Sequence, residues 1–117
     1  MRTIPIKESL TIEFKSDKKK YSDADLVDEI VGMTNTKGGT LYLGVEDNGE
    51  VTGVHPKHKD AIGVTALIAN STVPSVSVRA EVITEEEKDV LKIEIPVSRT
   101  VVSTSSGKML RRRLKAD

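Results

Sequence analysis

Three acidic side chains, Glu8, Glu13 and Asp47, are the residues of this chain whose chemistry could act on a phosphate ester. Carboxylate oxygens bind Mg²⁺ and Mn²⁺, and an ion held in this way polarises a phosphodiester and activates water. Glu8 and Glu13 are five residues apart, so on one straight strand they point to opposite faces. A metal site therefore requires a bend between them. Without one, Glu13 lies on the solvent face beside Lys15 and Asp47 is an ordinary turn residue.

Basic side chains are grouped in two short runs that could contact the phosphates of a nucleic acid. The first run follows the first predicted strand, and the second lies near the end of the sequence. If the two strand ends are neighbours, the runs form one phosphate-binding patch, although each run alone is also typical of a solvated loop. The candidate contacts are Lys18, Lys19, Lys20, Lys108, Arg111, Arg112 and Arg113.

Length and composition limit the classes of protein that fit. The 117 residues suit a single domain over 1–117, either alone or as the N-terminal part of a longer protein. The absence of cysteine excludes disulfides and thiolate metal sites, and the two histidines, His55 and His58, make a poor metal site alone. We expect neither a signal peptide nor a membrane span, which favours a cytoplasmic protein.

The charge balance leaves two classes of function open. The 18 acidic and 18 basic residues cancel, so no overall field draws the chain to nucleic acid. With one Phe, two Tyr and no Trp, a surface that stacks bases on several aromatic rings is disfavoured. A protein-assembly module without a nucleic-acid role therefore remains an alternative to a nucleic-acid binder.

Local patterns predict the elements that must position these side chains. Alternating apolar residues over 10–14 predict a half-buried strand, and Ser22 is a suitable N-cap for the helix that follows. Gly38-Gly39 should end that helix, because the reversal needs backbone angles that a Cβ disfavours. In the next strand Gly44 suggests close packing. We therefore assign structural roles to Asn35, Gly38, Gly39 and Gly44.

The rest of the chain continues the alternation of strands and helices. The apolar sides of these strands and helices predict an α+β fold, in which two helices pack mainly on one face of a mixed, largely antiparallel β-sheet. The predicted elements are a tight turn at 47–49, a strand at 51–54, a helix at 56–71, a hairpin of strands at 76–82 and 91–95, a polar segment at 98–107 and a last strand at 108–113.

Taken together, these segments resemble the Schlafen AlbA-like family of candidate DNA-binding domains, over residues 8–97. The resemblance rests on Glu8-Ser9 with Glu13-Phe14-Lys15, on Asn35-Thr36 with Gly38-Gly39, on Leu43-Gly44-Val45-Glu46-Asp47 with Gly49 and Gly53, and on 93–98. Bacterial and archaeal members commonly stand at the N-terminus of larger transcriptional regulators. Vertebrate relatives pair two such lobes into a clamp that binds structured RNA and in some members cleaves it.

The resemblance implies a nucleic-acid-binding module of a bacterial transcriptional regulator, with DNA favoured over RNA and binding favoured over catalysis. The alternative is a metal-dependent endoribonuclease. In the branch that cleaves RNA, the carboxylates match Glu8, Glu13 and Asp47, which would use Mg²⁺ or Mn²⁺. A homo-dimer is left open.

Overall fold

A computed structural model describes residues 2–112 of the chain. Neither of the two α-helices in that range has the length and apolar character needed to cross a membrane. In chain order the elements are β1 (Ile12–Lys15), α1 (Asp23–Thr34), β2 (Gly39–Leu43), a 3₁₀ helix (Pro56–Lys59), α2 (Ala61–Asn70), β3 (Thr72–Val73), β4 (Arg79–Glu85), β5 (Lys88–Ile95) and β6 (Ser103–Thr104).

The main sheet has four strands in the order β1-β2-β5-β4. β1 runs parallel to β2, whereas β2 with β5 and β5 with β4 are antiparallel. β3 and β6 form a separate antiparallel pair. The prediction of an α+β fold with a mixed, largely antiparallel sheet is therefore confirmed.

Both helices pack on the same face of this sheet, as predicted. Apolar side chains of α1 and α2 enclose the main core there with Leu41 and Leu91, which are fully buried. The opposite face carries a smaller core around Phe14 and Tyr42, covered by Ile4 and by the turn that follows β2. Burying each large apolar side chain stabilises the fold by roughly 1.5–3 kcal/mol relative to leaving it exposed.

The two ends of α1 follow local rules that the sequence displays. Ser22 is the N-cap, and its hydroxyl accepts the backbone N–H of Asp25 at 3.0 Å. Beyond the helix, Gly38 and Gly39 have φ angles of +66° and +130°, as the prediction of positive φ required. A Cβ on Gly39 would collide with the carbonyl of Thr11, so this glycine also allows β2 to approach the beginning of β1.

Gly44 directly follows β2 and packs closely against the backbone of Gly53, as the sequence predicts. A Cβ placed there would lie 2.8 Å from the carbonyl carbon of Gly53. The carbonyl of Gly44 accepts the N–H groups of Thr52 and Gly53, each at 2.9 Å. These contacts fold the chain back after β2, and the strand expected at 51–54 is reduced to a single bridge between Val45 and Val51.

Three other boundaries differ from the predictions. β1 begins at Ile12 because Ser9 and Ile12 close a tight turn, in which the Ser9 N–H donates to the Ile12 carbonyl at 2.9 Å. The helix predicted at 56–71 is divided at Asp60, whose carboxylate caps α2 by accepting the N–H of Gly63 at 2.9 Å. The predicted hairpin is present, but its first strand begins at Arg79.

The last strand predicted at 108–113 is wrong for residues 108–112, which form no strand. The strand of this region comes earlier, as β6 inside the predicted polar segment, because β6 pairs with β3. Arg113 lies outside the described residues.

Candidate nucleic-acid interface and carboxylate cluster

A buried pair, Asp17 and His58, joins the loop after β1 to the 3₁₀ helix. The two side chains are almost wholly buried, with 1% and 2% of their residue surface exposed, and Nδ1 of His58 is 2.8 Å from Oδ2 of Asp17. The same carboxylate accepts the backbone N–H of Tyr21 at 2.6 Å and that of His55 at 2.7 Å. A buried carboxylate with three such partners is well satisfied and fixes both segments.

Asp23, in the first turn of α1, extends this pair toward the surface. Its Oδ1 lies 3.3 Å from Nε2 of His58 and 3.2 Å from Nζ of Lys20. Burial alone would raise the pKa of Asp23, but the hydrogen bonds from His58 and Lys20 hold this pKa below its ordinary value. His58 therefore lies between two carboxylates, one of them paired with a lysine of the first basic run.

The buried pair brings together lysines from two segments of the chain. Lys18, Lys19 and Lys20 directly follow Asp17, and Lys57 directly precedes His58; all four are exposed. An open cavity of about 360 Å³ lies between the segments, and Lys20 and Lys57 both line it. We call these four residues the lysine surface.

Sequence reasoning missed Lys57 as a member of this surface. The contact between Asp17 and His58 spans 41 positions, and no periodicity in the sequence indicates it. The one available signal was that Asp17 and His58 are each next to lysines in the sequence. Lys59, on the other side of His58, forms an ion pair with Asp89 at 3.4 Å, so we do not include it in the lysine surface.

Arg112, in the second basic run, is engaged within the protein, which corrects its prediction as a phosphate contact. Its guanidinium forms an ion pair with Glu13, lies 3.6 Å from Glu29, and donates to the Ser9 carbonyl at 2.9 Å. Arg112 therefore anchors the chain to the start of β1 and is not a free phosphate contact.

The other members of the second run differ from one another. Lys108 is exposed and paired with Asp28 at 3.2 Å, whereas Arg111 is exposed. The Arg112 guanidinium contacts the carboxylates of Glu13 and Glu29, which also pair with Lys15 at the end of β1. Lys18 lies in the loop that follows that end. A single patch that combines the two runs remains a prediction.

Asn35 holds the last described segment, residues 98–112, against the end of α1. Its side-chain amide donates to the carbonyls of Val102 and Leu110, both at 2.8 Å, and its side-chain oxygen accepts the Val102 N–H at 2.8 Å. The backbone N–H of Arg112 donates to the hydroxyl of Thr36 at 2.8 Å. These contacts are the physical reason that Arg112 reaches Glu13.

The bend that a metal site requires is present between Glu8 and Glu13. After the turn at Ser9, Glu8 accepts the backbone N–H of Phe14 at 2.9 Å. Burial, and then a hydrogen bond with the Glu8 carboxyl, raise the pKa of Glu13, while Arg112 opposes that rise. Glu13 is only 9% exposed and lies on the helix-bearing face, so the expectation of a solvent-facing Glu13 is wrong.

Asp47 does not join these two carboxylates. It is exposed in the turn after β2, next to Glu46. Burial alone would raise the pKa of Glu46, but hydrogen bonds from Thr52 and Ser16 lower it. Within residues 2–112 no group of three or more histidine, cysteine, aspartate or glutamate side chains is placed to hold a metal ion. The arrangement does not fit a divalent ion, and the catalytic roles of Glu8, Glu13 and Asp47 remain a prediction.

Comparisons with known proteins agree on the architecture. The family model described as Schlafen, AlbA_2 matches residues 8–116. The DIP2311 protein from Corynebacterium diphtheriae has a similar structure, with a TM-score of 0.71 at 21% identity; the match covers 89% of this chain but only 23% of that one. No curated protein matches the chain.

A second solved structure is the N-terminal domain of a RecG-related protein from Nitrosomonas europaea, described as a candidate ATP-dependent DNA helicase. It is 19% identical with a TM-score of 0.65, and the match covers 94% of this chain and 82% of that one. At these identities the likeness shows the fold alone.

Proposed function

The chain belongs to the Schlafen AlbA_2 family, and on that premise we propose that it is a nucleic-acid-binding module that contacts phosphates through the lysine surface. The family match and the helicase-related name of one structural neighbour support association with nucleic acid. DNA is the favoured target, within a bacterial transcriptional regulator. The finer role rests on the resemblance of the sequence to regulators of this type.

The observation that carries the proposal is the contact between Asp17 and His58, which holds Lys57 close to the run that follows Asp17. Within residues 2–112 the ion pairs do not include Lys18, Lys19 or Lys57, whereas Lys20, Lys108 and Arg112 are paired with carboxylates. Lysines without a carboxylate partner can neutralise phosphates and so release the counterions condensed on the nucleic acid. Held on a fixed framework, they lose less conformational entropy on binding than lysines of a mobile loop.

Zero net charge is compatible with this proposal because binding then depends on a local surface. Acidic groups next to the lysines, such as Asp23 and Asp60, also line the cavity. They disfavour deep penetration of an anion and favour contact at the exposed lysine ends. The lysine surface therefore predicts weak, sequence-independent binding to the phosphate backbone, with no readout of bases.

Competition between nucleic acids tests the proposal. A fluorescein-labelled duplex DNA is titrated with wild type, with Lys19→Ala/Lys57→Ala, and with the matched control Lys37→Ala/Lys92→Ala, which also removes two positive charges. Unlabelled duplex DNA and an RNA hairpin then compete for the same site. We expect weaker binding only in the first variant and stronger competition by DNA. Equal binding by all three proteins would reject the lysine surface, and stronger competition by RNA would reassign its target.

A further inference from the structure

β4 is an edge strand of the main sheet, and β5 is its single strand partner within residues 2–112. The hairpin that joins them has a two-residue loop, Glu86 and Glu87, both with positive φ, and Glu85 is opposite Lys88. In such a hairpin the closing pair is hydrogen-bonded, and hydrogen-bonded pairs then alternate along the strands. The backbone groups of alternate β4 residues are therefore directed toward the open edge.

The residues whose backbone groups face the open edge are Ala80, Val82 and Thr84. Within residues 2–112 no segment beyond the hairpin contributes a backbone hydrogen bond to them. The register of β4 with β5 is continuous over all seven residues, and the strand contains no proline. A straight unpaired edge of this length is a template for another strand. Val82 and Thr84 are exposed, and Val82 keeps 38% of its surface accessible.

We propose that this edge binds the same edge of a second copy of the chain, antiparallel, with the two-fold axis at Val82. In this register Val82 pairs with Val82 of the second copy and Ala80 pairs with Thr84 of the second copy. All three outward residues of each copy then form hydrogen-bonded pairs, as an antiparallel ladder requires. The two sheets join into one continuous sheet across the axis.

The charges of β4 select this register among the symmetric ones. With the axis at Val82, Arg79 lies opposite Glu85 of the second copy, so opposite charges face each other on each side of the axis. The Glu85 carboxylate keeps its own hydrogen bonds with Thr3 and Ile4. Moving the axis to Glu81 would place that carboxylate directly opposite its own copy, which is destabilising. Moving it to Ile83 would leave Arg79 beyond the paired strand. Moving it to Ala80 would place Arg79 opposite Glu81 of the second copy but would pair only residues 79–81 of β4. The axis at Val82 therefore combines facing opposite charges with pairing over the whole strand, which is the argument for a second copy as the occupant.

The interface between two seven-residue strands is small, so the dimer should be weak. Contacts of this size fall below the standard range for stable complexes. We expect a dissociation constant on the order of 10–100 µM, within the range of transient interfaces.

Sedimentation equilibrium over a concentration series from about 5 to 500 µM tests the proposal. Wild type should pass from monomer to dimer. Val82→Pro should be monomeric throughout, because proline removes an outward N–H that β5 does not use. Arg79→Glu, an exposed change that does not depend on proline geometry, should weaken dimerisation by at least tenfold. Circular dichroism checks that both variants are folded.

The control for register is Glu81→Gln. With the axis at Val82 this substitution should leave the dissociation constant within about twofold, whereas with the axis at Glu81 it should strengthen the dimer. A wild type that remains monomeric at the highest concentration would overturn the proposal. A dimer that is unchanged by both Val82→Pro and Arg79→Glu would also overturn it, since the association would then use another surface.

Discussion

The imidazole of His58 and the carboxylate of Asp17, 41 residues apart in sequence, meet in the protein interior at 2.8 Å. The contact fixes the loop that carries Lys18, Lys19 and Lys20 against the 3₁₀ helix that carries Lys57. Because the same carboxylate also accepts two backbone N–H groups, it determines the geometry of both segments. The lysine surface therefore depends on a pair of side chains that are themselves almost wholly buried.

Asp17→Ala should destabilise the protein and weaken nucleic-acid binding together. The substitution leaves His58 and two partly buried N–H groups without their acceptor. Breaking a buried pair of this kind costs about 3–5 kcal/mol. Urea denaturation and anisotropy measure the two effects. Asp25→Ala, an exposed change in the first turn of α1, is the control and should alter stability by less than about 0.5 kcal/mol. Equal effects of the two substitutions would contradict the role of the buried pair.

Gly39→Ala should destabilise the fold through both backbone strain and collision. The φ of Gly39 is +130°, and its Cβ would meet the Thr11 carbonyl, so we expect a loss of at least about 1–3 kcal/mol. Gly107→Ala is the matched control, because Gly107 also has a positive φ, +96°, but no atom lies within 4 Å of its Cβ position. Thermal denaturation should rank Gly39→Ala as the more damaging change. The reverse order would show that the close approach of Thr11 is unimportant.

Glu85 should make stability depend on pH in the acid range. Hydrogen bonds from the Ile4 N–H and from the hydroxyl and N–H of Thr3 lower the pKa of Glu85 below the ordinary 4.5. The unfolded chain then binds a proton more readily than the folded one. The stabilisation is therefore present above the ordinary pKa and is lost as pH falls through the lower folded value.

Glu85→Gln should reduce the decline of the melting temperature between about pH 5 and pH 3 relative to wild type. Glu50→Gln, at an exposed glutamate, is the control and should show the wild-type decline. If the two variants decline alike, the contacts of Glu85 with Thr3 and Ile4 do not contribute to acid sensitivity.

The ion pair of Arg112 with Glu13 bears on the alternative of a ribonuclease. Arg112 forms an ion pair with the Glu13 carboxylate, and Asp47 does not join Glu8 and Glu13. We therefore expect wild type to leave a structured RNA intact in the presence of Mn²⁺. Gel analysis of wild type, Arg112→Ala and Glu13→Gln measures cleavage directly. Cleavage by wild type that is lost in Glu13→Gln would contradict this expectation and restore the catalytic assignment.

Local features of the sequence were enough to predict much of the fold. The N-cap at Ser22 and the reversal at Gly38-Gly39 follow from rules that involve neighbours in sequence, and both were confirmed. Alternation also predicted the antiparallel hairpin. Both helices were predicted on one face of the sheet because that is the simplest architecture that buries their apolar sides.

The candidate site was harder to predict, since its defining contacts are distant in sequence. The pair of Arg112 with Glu13 spans 99 positions, and periodicity carries no information about such partners. Glu13 was expected on the solvent face, which is wrong because residues 98–112 fold over it, held by Asn35. The membership of Lys57 in the lysine surface likewise depends on a buried contact with no local pattern.

The salt dependence of binding tests the central claim most directly. Anisotropy of a labelled duplex is measured with wild type over a range of salt concentrations, and the logarithm of the association constant is plotted against that of salt. Four lysine–phosphate contacts predict a slope of about −3 to −4. Lys19→Ala/Lys57→Ala should reduce its magnitude by about 2, while Lys37→Ala/Lys92→Ala should leave the slope unchanged. Salt-insensitive binding, or equal loss of slope in both variants, would contradict binding through the lysine surface.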